Sequence, residues 1–334
     1  MMGYSNEVLI SARRQLEEEN QRLKAENRRR QEQAYAQLPR LQELDSLLRR
    51  SMAVAAQAAF AKGDESGKLM ADARAANLAL QKERAELLAA HYPEGWLDRD
   101  CACDRCGGVG YLGSNMCSCL ENLCRQEQKK RIGALAGGSK CFADFDLNYY
   151  PDRVLPGTNF NMRAVMAKTL ETCRAYAEEF PGQSGNLLFS GSTGLGKTLM
   201  SACIASQVTD KGCSVVYESA PRLFSQLEKA RFAHDPEVRA QTEAVCSNYN
   251  DCDLLIVDDL GTELSGQFVT AALYSLINER LITGKATIIS TNLKNEELES
   301  RYSAQILSRL RGNYRRVAFV GEDIRVKKNW GELL

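Results

Sequence analysis

Three scarcities limit what this 334-residue chain can be. Histidine is the first, because only His91 and His234 are present, and neither belongs to a pattern that indicates catalysis. Net charge is the second, since 43 basic residues balance 43 acidic ones. Bulk attraction to a polyanion is therefore excluded, and any contact with nucleic acid must come from a local patch.

The third scarcity is of long apolar runs near the N-terminus. Residues 1–20 lack the sustained apolar core of a signal peptide. The most apolar run nearby, at 52–61, is rich in alanine and far too short to span a bilayer. We therefore expect a cytoplasmic protein without a membrane partner, in which disulfides are disfavoured and clustered cysteines indicate metal binding.

Proline is also rare in the first 91 residues, where Pro39 stands alone and long helices are favoured. Leucines recur every seven residues before it, but the other seam positions are polar, so a long coiled coil is poorly supported. Those positions are Arg13, Asn20 and Asn27. Helical spacing resumes after Pro39, with GDESG at 63–67 typical of a turn. We predict three helices, the last two forming a hairpin, which serve either as a solvated bundle or as a partner-binding arm.

Six of the twelve cysteines lie between Cys101 and Cys124. They include a C-x₂-C pair and a C-x-C pair separated by ten residues, with glycines between them that suit a tight knuckle turn. This spacing predicts a closed, structural Zn²⁺ site, whose metal would supply the folding free energy that so few apolar residues cannot. The expected ligands are Cys103, Cys106, Cys117 and Cys119. Cys101 and Cys124 leave the choice of four open, and free or redox-active thiols are the alternative.

From residue 141 onwards, apolar strand-like runs alternate with helical patterns. The runs lie at 186–190, 213–219, 253–259 and 286–291. Strands separated by helices predict right-handed βαβ units, and hence an α/β fold with a parallel sheet covered by helices on both faces.

We expect the chain to divide into four segments. They are a helical partner-binding region at 1–95, a cysteine zinc module at 96–130, a glycine-containing linker at 131–140 and the α/β domain at 141–334.

The sequence GSTGLGKT at 191–198 fits the phosphate-binding pattern G-x-x-x-x-G-K-[ST] and lies between a predicted strand and a predicted helix. Its glycines let backbone N–H groups surround phosphates, and the helix N-terminus adds a positive dipole end. Lys197 would contact the β- and γ-phosphates, and the Thr198 hydroxyl would ligate Mg²⁺. The residues expected to bind ATP are Gly191, Ser192, Thr193, Gly194, Leu195, Gly196, Lys197, Thr198 and Leu199.

Polar residues also stand where two later predicted strands end. Asp258 and Asp259 follow the apolar run LLIV, and Asn292 follows ATIIST. We expect Asp258 to hold Mg²⁺, directly or through water, Asp259 to polarise the attacking water, and Asn292 to orient that water or sense the γ-phosphate. An acidic turn that caps the next helix, and an ordinary turn asparagine, are the alternatives.

These motifs, together with ILSRLRGNYRRVAFVGEDIR near the C-terminus, closely resemble the DnaC/DnaI and IstB branch of AAA+ ATPases. FADFDLNYYP at 142–151 looks like the segment that these proteins carry ahead of the nucleotide pocket. The resemblance covers about 141–326. It implies an AAA+ P-loop fold, ATP and Mg²⁺ as cofactors, and ATP hydrolysis that is weak until DNA or a partner stimulates it.

The resemblance also implies catalysis between the subunits of a nucleotide-dependent homo-oligomer. The arginine of SRL, Arg309, would reach the γ-phosphate of a neighbour, because a guanidinium is always charged and spreads its donors over phosphate oxygens. Arg311, Arg315 and Arg316 crowd the same region, so the identity of this arginine finger stays open.

Full AAA+ modules add a helical lid that carries a further arginine. Only thirteen residues follow Gly321, so we expect no complete lid, and Arg325, in GEDIR, is the candidate that would reach the nucleotide from the core itself.

DnaI-like loaders resemble this order of partner-binding region, cysteine module and ATPase, whereas IstB proteins usually lack such a module. The resemblance therefore implies an ATP-dependent loader of a DnaB-type hexameric replicative helicase onto single-stranded DNA. One alternative is an IstB-like ATPase that regulates transposition on duplex DNA. Another is a non-catalytic adaptor in which ATP only stabilises the fold.

A loader must also contact single-stranded DNA. Between the second and third predicted strands, cations lie near phenylalanines, a combination that suits phosphates and stacked bases without sequence preference. These residues are Arg222, Lys229, Arg231, Phe224 and Phe232. The alternative is an amphipathic helix whose phenylalanines belong to the core.

Overall fold

The computed structural model of the chain describes residues 4–58, 64–97, 100–182 and 185–326. It divides into two compact units. The arm unit is Arg13–Leu120, and the sheet unit combines Met1–Ala12 with Glu121–Leu334. None of the described helices combines the length and the apolar character needed to cross a bilayer.

The arm unit contains most of a long helix, α1 (Asn6–Gln37), followed by α2 (Pro39–Ala58) and α3 (Asp64–His91). Proline at the first position of α2 ends α1, since it has no N–H to continue the helical ladder. Ion pairs join α2 to α3, as from Arg84 to Asp45 at 2.6 Å, so the predicted helical hairpin is confirmed. The predicted turn at 63–67 is wrong for 64–67, which are helical, and Gly63 lies outside the described residues.

Two of the polar residues that interrupt the heptad of α1 have partners in the cysteine segment, residues 101–124. Asn20 donates to the Gly108 carbonyl and accepts from the Ala102 N–H, both at 2.8 Å. Arg13 donates to the Tyr111 hydroxyl at 2.6 Å. The α1 surface is therefore built to hold this segment rather than to pair with a second long helix.

A two-stranded hairpin, β1 (Tyr111–Leu112) and β2 (Asn115–Met116), forms the tip of the cysteine segment, and α4 (Ser118–Ala136) follows it. Residues 131–136 of the predicted linker continue α4, and positive φ angles at Gly137 and Gly138 turn the chain after it. The division into four segments stays a prediction.

The sheet unit is built on five parallel strands in the order β4-β5-β6-β3-β7. Their bounds are β3 (Asn186–Ser190), β4 (Val215–Ser219), β5 (Leu254–Leu260), β6 (Ala286–Thr291) and β7 (Tyr314–Ala318). The first four match the apolar runs of the sequence to within two residues, and the fifth arises from a motif that carried no strand prediction.

Helices cover both faces of this sheet, as predicted, and each face has its own apolar core. On one face lie α5 (Met162–Glu179) and α6 (Lys197–Asp210). On the other lie α7 (Ala220–Phe232), α8 (Pro236–Asp251), α9 (Gln267–Ile282), α10 (Asn295–Arg301) and α11 (Ala304–Asn313). The parallel strands end at a common edge, where the phosphate loop and the predicted acids meet.

Candidate nucleotide site and cysteine cluster

The phosphate loop joins the end of β3 to the start of α6 at Lys197. Gly194 has a left-handed φ of +73°, and a Cβ atom there would lie 1.9 Å from a carboxylate oxygen of Asp323. A side chain at this position would therefore displace the C-terminal segment, whose Ile324 N–H also donates to the Gly194 carbonyl at 3.0 Å. Glycine is required here by close approach as well as by backbone conformation.

Lys197 is buried at the centre of this loop. Its Nζ donates to the carbonyls of Gly191 and Ser192 at 2.7 Å each and to Oδ1 of Asn292 at 2.6 Å. Burial lowers the pKa of Lys197, and the nearby charges of Asp259 and Asp258 oppose that shift. The ammonium group thus joins the loop to the end of β6 at the place where phosphate oxygens would lie.

The two adjacent acids separate at the end of β5. Asp258 is buried, whereas Asp259 lines the cavity and has a left-handed φ of +56°, a conformation that aspartate tolerates better than most residues. Burial, and then the Asp258 charge, raise the pKa of Asp259, while Lys197 and Asn292 counteract them. The turn at Asp259 thus directs its carboxylate to the cavity, whereas the Asp258 carboxylate stays buried in the sheet.

Most of the predicted nucleotide-binding residues line one cavity. They are Thr193, Gly194, Leu195, Gly196, Lys197, Thr198, Leu199, Asp259, Asn292 and Arg325. Gly191, Ser192, Asp258 and Arg309 do not line it, although Gly191 and Ser192 bind Lys197 through their carbonyls. Thr198 and Asp259, which line the cavity, carry hydroxyl and carboxylate oxygens, the hard donors that Mg²⁺ prefers.

An aromatic wall completes the cavity. Phe145 and Tyr150 stack with ring centroids 5.4 Å apart, and the Tyr150 hydroxyl donates to the Leu195 carbonyl at 2.9 Å. Both residues belong to FADFDLNYYP, the segment that the sequence places ahead of the pocket. Their individual roles were not predicted, because no spacing rule marks which of its aromatics turns towards the phosphate loop.

The two arginines expected at the nucleotide differ in position. Arg325 is exposed, lines the cavity and pairs with Asp323, with Nε 3.3 Å from the carboxylate. Arg309 on α11 lies 4.2 Å above the ring of Tyr274 and donates to its hydroxyl at 2.6 Å. Asn278 also accepts from Arg309, at 3.2 Å. Arg309 is thus held on the α9–α11 surface and away from the cavity of its own chain.

Four of the six clustered cysteines come together within the arm unit. The Sγ atoms of Cys103, Cys106, Cys117 and Cys119 all lie within 4.8 Å of one another. The Cys103–Cys117 and Cys106–Cys119 distances are 3.8 and 3.5 Å. A tetrahedral site with Zn–S bonds of about 2.3 Å places its sulfurs about 3.8 Å apart, so these thiols fit Zn²⁺.

The surroundings of the cluster favour thiolate at one ligand. Burial alone would raise the pKa of Cys106, but the Gly110 N–H, 3.2 Å from its sulfur, and the neighbouring thiols lower that pKa to about 7. Cys101 instead donates to the Cys103 carbonyl, and neither Cys101 nor Cys124 belongs to the group of four.

The candidate DNA-binding residues do not all lie on one surface. Phe224 is 3% exposed and belongs to the core, so its expected role in stacking is wrong. Arg222 pairs with Glu218 at 3.2 Å. Phe232, in contrast, is 57% exposed and packs against Phe268 with ring centroids 5.6 Å apart.

Arg231 lies over both of these rings, with its guanidinium carbon 5.7 Å from the Phe232 centroid and 5.9 Å from that of Phe268. Phe268 is the second residue of α9 and lies 36 positions after Phe232. Nothing in the sequence around it indicates that the two rings meet. An exposed aromatic ring, here Phe232 backed by the partly buried Phe268, with a guanidinium above it is the arrangement that stacking on nucleic-acid bases uses.

Residues 120–330 match the family described as IstB-like ATP binding protein. The chain belongs to this family. The resemblance drawn from the motifs is thereby confirmed, together with the α/β fold class of the P-loop sheet. Binding of ATP is the activity that the family description states.

Two relatives represent different branches. The replicative helicase loader DnaC of Escherichia coli K12 is 26% identical over 161 residues, which cover 48% of this chain and 61% of DnaC. An insertion sequence ATP-binding protein of Sinorhizobium fredii is 26% identical over 130 residues, covering 39% of this chain and 42% of that protein. The chain thus spans about three fifths of the length of DnaC.

Two solved structures are also similar. The crystal structure of the DnaC helicase loader gives a TM-score of 0.42 at 20% identity, over 54% of this chain and 98% of that one. The crystal structure of DnaI gives 0.43 at 22% identity, over 56% and 90%. At these scores the likeness adds nothing to the sheet topology described above.

Proposed function

We propose that this chain is an ATP-hydrolysing switch that loads a replicative hexameric helicase onto single-stranded DNA. The observation that carries the proposal is the convergence of Lys197, Asp259 and Asn292 at one cavity of a chain that resembles DnaC. A module in which ATP only stabilised the fold would have no need of an acid and an amide beside the lysine.

Each of these residues has a distinct role in the proposed reaction. Phosphate oxygens replace the Gly191 and Ser192 carbonyls as partners of Lys197, and a charge-assisted contact is stronger than the one it replaces. Asp259 faces the cavity and accepts a proton from the attacking water, which Asn292 orients. Mg²⁺, when bound through Thr198 and Asp258, neutralises charge on the phosphate oxygens.

Arg309 is the candidate finger for a neighbouring subunit. Stacking on Tyr274 holds its guanidinium at the surface of its own chain, and this fits a residue that acts on a site elsewhere. The proposal therefore includes a homo-oligomer whose formation depends on nucleotide. The cysteine cluster, as a closed zinc site, would hold its segment on α1, where Asn20 and Arg13 already bind it.

The IstB-like regulation of transposition is the second candidate, because the family match and the Sinorhizobium fredii relative both point to it. The kind of DNA that is bound separates the two functions. A loader binds single strands, whereas the transposition regulator assembles on duplex.

Arg231→Glu is the substitution that tests the DNA contact. We expect it to weaken binding of a labelled single strand about tenfold in the presence of ATP, because it removes a cation above the rings of Phe232 and Phe268 and adds repulsion. Fluorescence anisotropy at low salt, with single-stranded and duplex probes of equal length, is the measurement. Arg239→Glu, at an exposed position of α8, is the matched control.

Unchanged affinity of the Arg231 variant would remove this surface from the proposal. Tighter binding of the unaltered chain to duplex than to single strands would favour the transposition function instead.

A further inference from the structure

Asp258 is held from both sides within the sheet. Its residue is 5% exposed, and each of its carboxylate oxygens accepts a hydrogen bond from a hydroxyl. Tyr217 on β4 donates to Oδ2 at 2.8 Å, and Ser290 on β6 donates to Oδ1 at 2.5 Å. Since β5 lies between β4 and β6, the two neighbouring strands fix the orientation of this side chain together.

Ser290 also connects the two acids. Its oxygen accepts the backbone N–H of Asp259 at 2.8 Å while its hydroxyl donates to Asp258, which uses both capacities of a serine hydroxyl. Ser290 is completely buried. One side chain therefore sets the Asp258 carboxylate and the left-handed turn that presents Asp259 to the cavity.

Packing alone does not account for these hydroxyls. At these buried positions of β4 and β6, phenylalanine and alanine would fill similar space without a polar group to satisfy. Both hydroxyls are directed at a carboxylate that itself does not line the cavity.

We infer that Tyr217 and Ser290 are positioning residues of the nucleotide site, which lock Asp258 so that its remaining lone pairs hold the water shell of the bound cation. The inference rests on the proposed function, because it assigns a task within the proposed ATP site. A carboxylate with both oxygens already hydrogen-bonded to protein acts most readily through water. Partners of this kind typically contribute about 10- to 100-fold to metal affinity.

Tyr217→Phe and Ser290→Ala, made in the full chain, test the inference. Tyr176→Phe is the matched control, since Tyr176 is also a buried tyrosine, its hydroxyl donates to the Gly185 carbonyl at 3.1 Å, and it lies outside the cavity. The affinity for a fluorescent ATP analogue is measured by titration under two conditions, once in the presence of Mg²⁺ and once with a chelator in its place. The ratio of the two affinities isolates the contribution of the cation without reference to turnover.

We expect the affinity of both variants without Mg²⁺ to stay within about twofold of the parent. The factor by which Mg²⁺ increases their affinity should fall about tenfold. The control keeps that enhancement. Equal losses with and without Mg²⁺, or an unchanged enhancement in Tyr217→Phe, would overturn the inference in favour of a purely structural role. Tyr217→Phe removes a single oxygen, so it decides the question even if Ser290→Ala does not fold.

The proposed function is tested separately by the unaltered chain. If that chain binds the analogue with an Mg²⁺ enhancement but never hydrolyses ATP, with or without DNA, the proposed ATPase fails while the positioning role stands.

Discussion

Lys197 shows how much of this site a single residue type determines. Its ammonium needs acceptors wherever it is buried, and the loop that precedes it supplies two carbonyls within six residues. Because the loop is local, the spacing of GSTGLGKT is sufficient to predict that Lys197 lies within it, although not that the loop carbonyls accept from its ammonium group. Tyr217, Ser290 and Phe268 could not be predicted in the same way, since strand register and helix packing bring them to their partners from distant positions.

Arg280 is a further residue that the sequence does not reveal. It is 1% exposed, and its guanidinium donates to the carbonyls of Tyr249, Cys252 and Ala286 and to the Thr287 hydroxyl. Nothing in its helix distinguishes it from a surface arginine, because the carbonyls that satisfy it come from two other segments of the chain, 249–252 and the start of β6.

Glu218 gives a prediction for the effect of pH on stability. Burial raises its pKa from 4.5 to about 7, with Arg222 opposing that shift and Glu7 adding to it. The folded state therefore binds this proton more tightly than the unfolded state does, and stability falls as pH rises from about 4.5 towards 7. We expect Glu218→Gln to unfold at the same temperature as the parent at pH 4.5 and at a temperature several degrees higher at pH 8.

Thermal unfolding at both pH values is the measurement, with Glu237→Gln, at an exposed position of α8, as the control. A variant that is less stable than the parent at pH 8 would show that the Arg222 pair outweighs the burial of the charge.

Among the elements, the cysteine segment illustrates why the period of a sequence can mislead. The heptad of α1 fails at Arg13 and Asn20 because these residues bind the cysteine segment. Their partners there are Tyr111, Gly108 and Ala102. The spacing of the C-x₂-C and C-x-C pairs favoured the four thiols that do converge, because such pairs have few ways to meet. It did not by itself exclude Cys101 and Cys124. Strand β7 was not anticipated, because arginines at two of its five positions conceal a strand pattern.

The zinc site yields a prediction at this scale. The purified chain should contain one Zn²⁺ per molecule by elemental analysis, and Cys106→Ser should lose it and unfold the knuckle, because metal binding supplies folding free energy there. Cys101→Ser, which alters a thiol outside the group of four, should retain the metal. Equal zinc content in both variants, or zinc lost in both, would contradict the assignment of the four ligands.

For the whole molecule, the sequence predicted the fold class and the order of its segments because each segment carries its own periodicity or spacing. It did not predict that the first residues of the chain belong to the sheet unit. Tyr4 and Val8 are buried there, and Glu7 pairs with Arg131 of α4 at 2.5 Å. A boundary of this kind depends on contacts between residues 124 positions apart, which no local pattern records.

The central claim is that ATP controls a complex between this chain and a helicase. Its most direct test is size-exclusion co-elution of the full chain with the hexameric replicative helicase of the same cell, run with ATP and with ADP. Leu78→Glu, which alters a 61% exposed leucine of α3, tests the arm, and Gln81→Glu on the same helix is its control.

We expect a complex that differs in stability between ATP and ADP, is lost in Leu78→Glu and is kept in Gln81→Glu. A Lys197→Ala chain should form it without any response to nucleotide, because the phosphate contact is gone. Absence of a complex with the helicase in every nucleotide state would contradict the loader function.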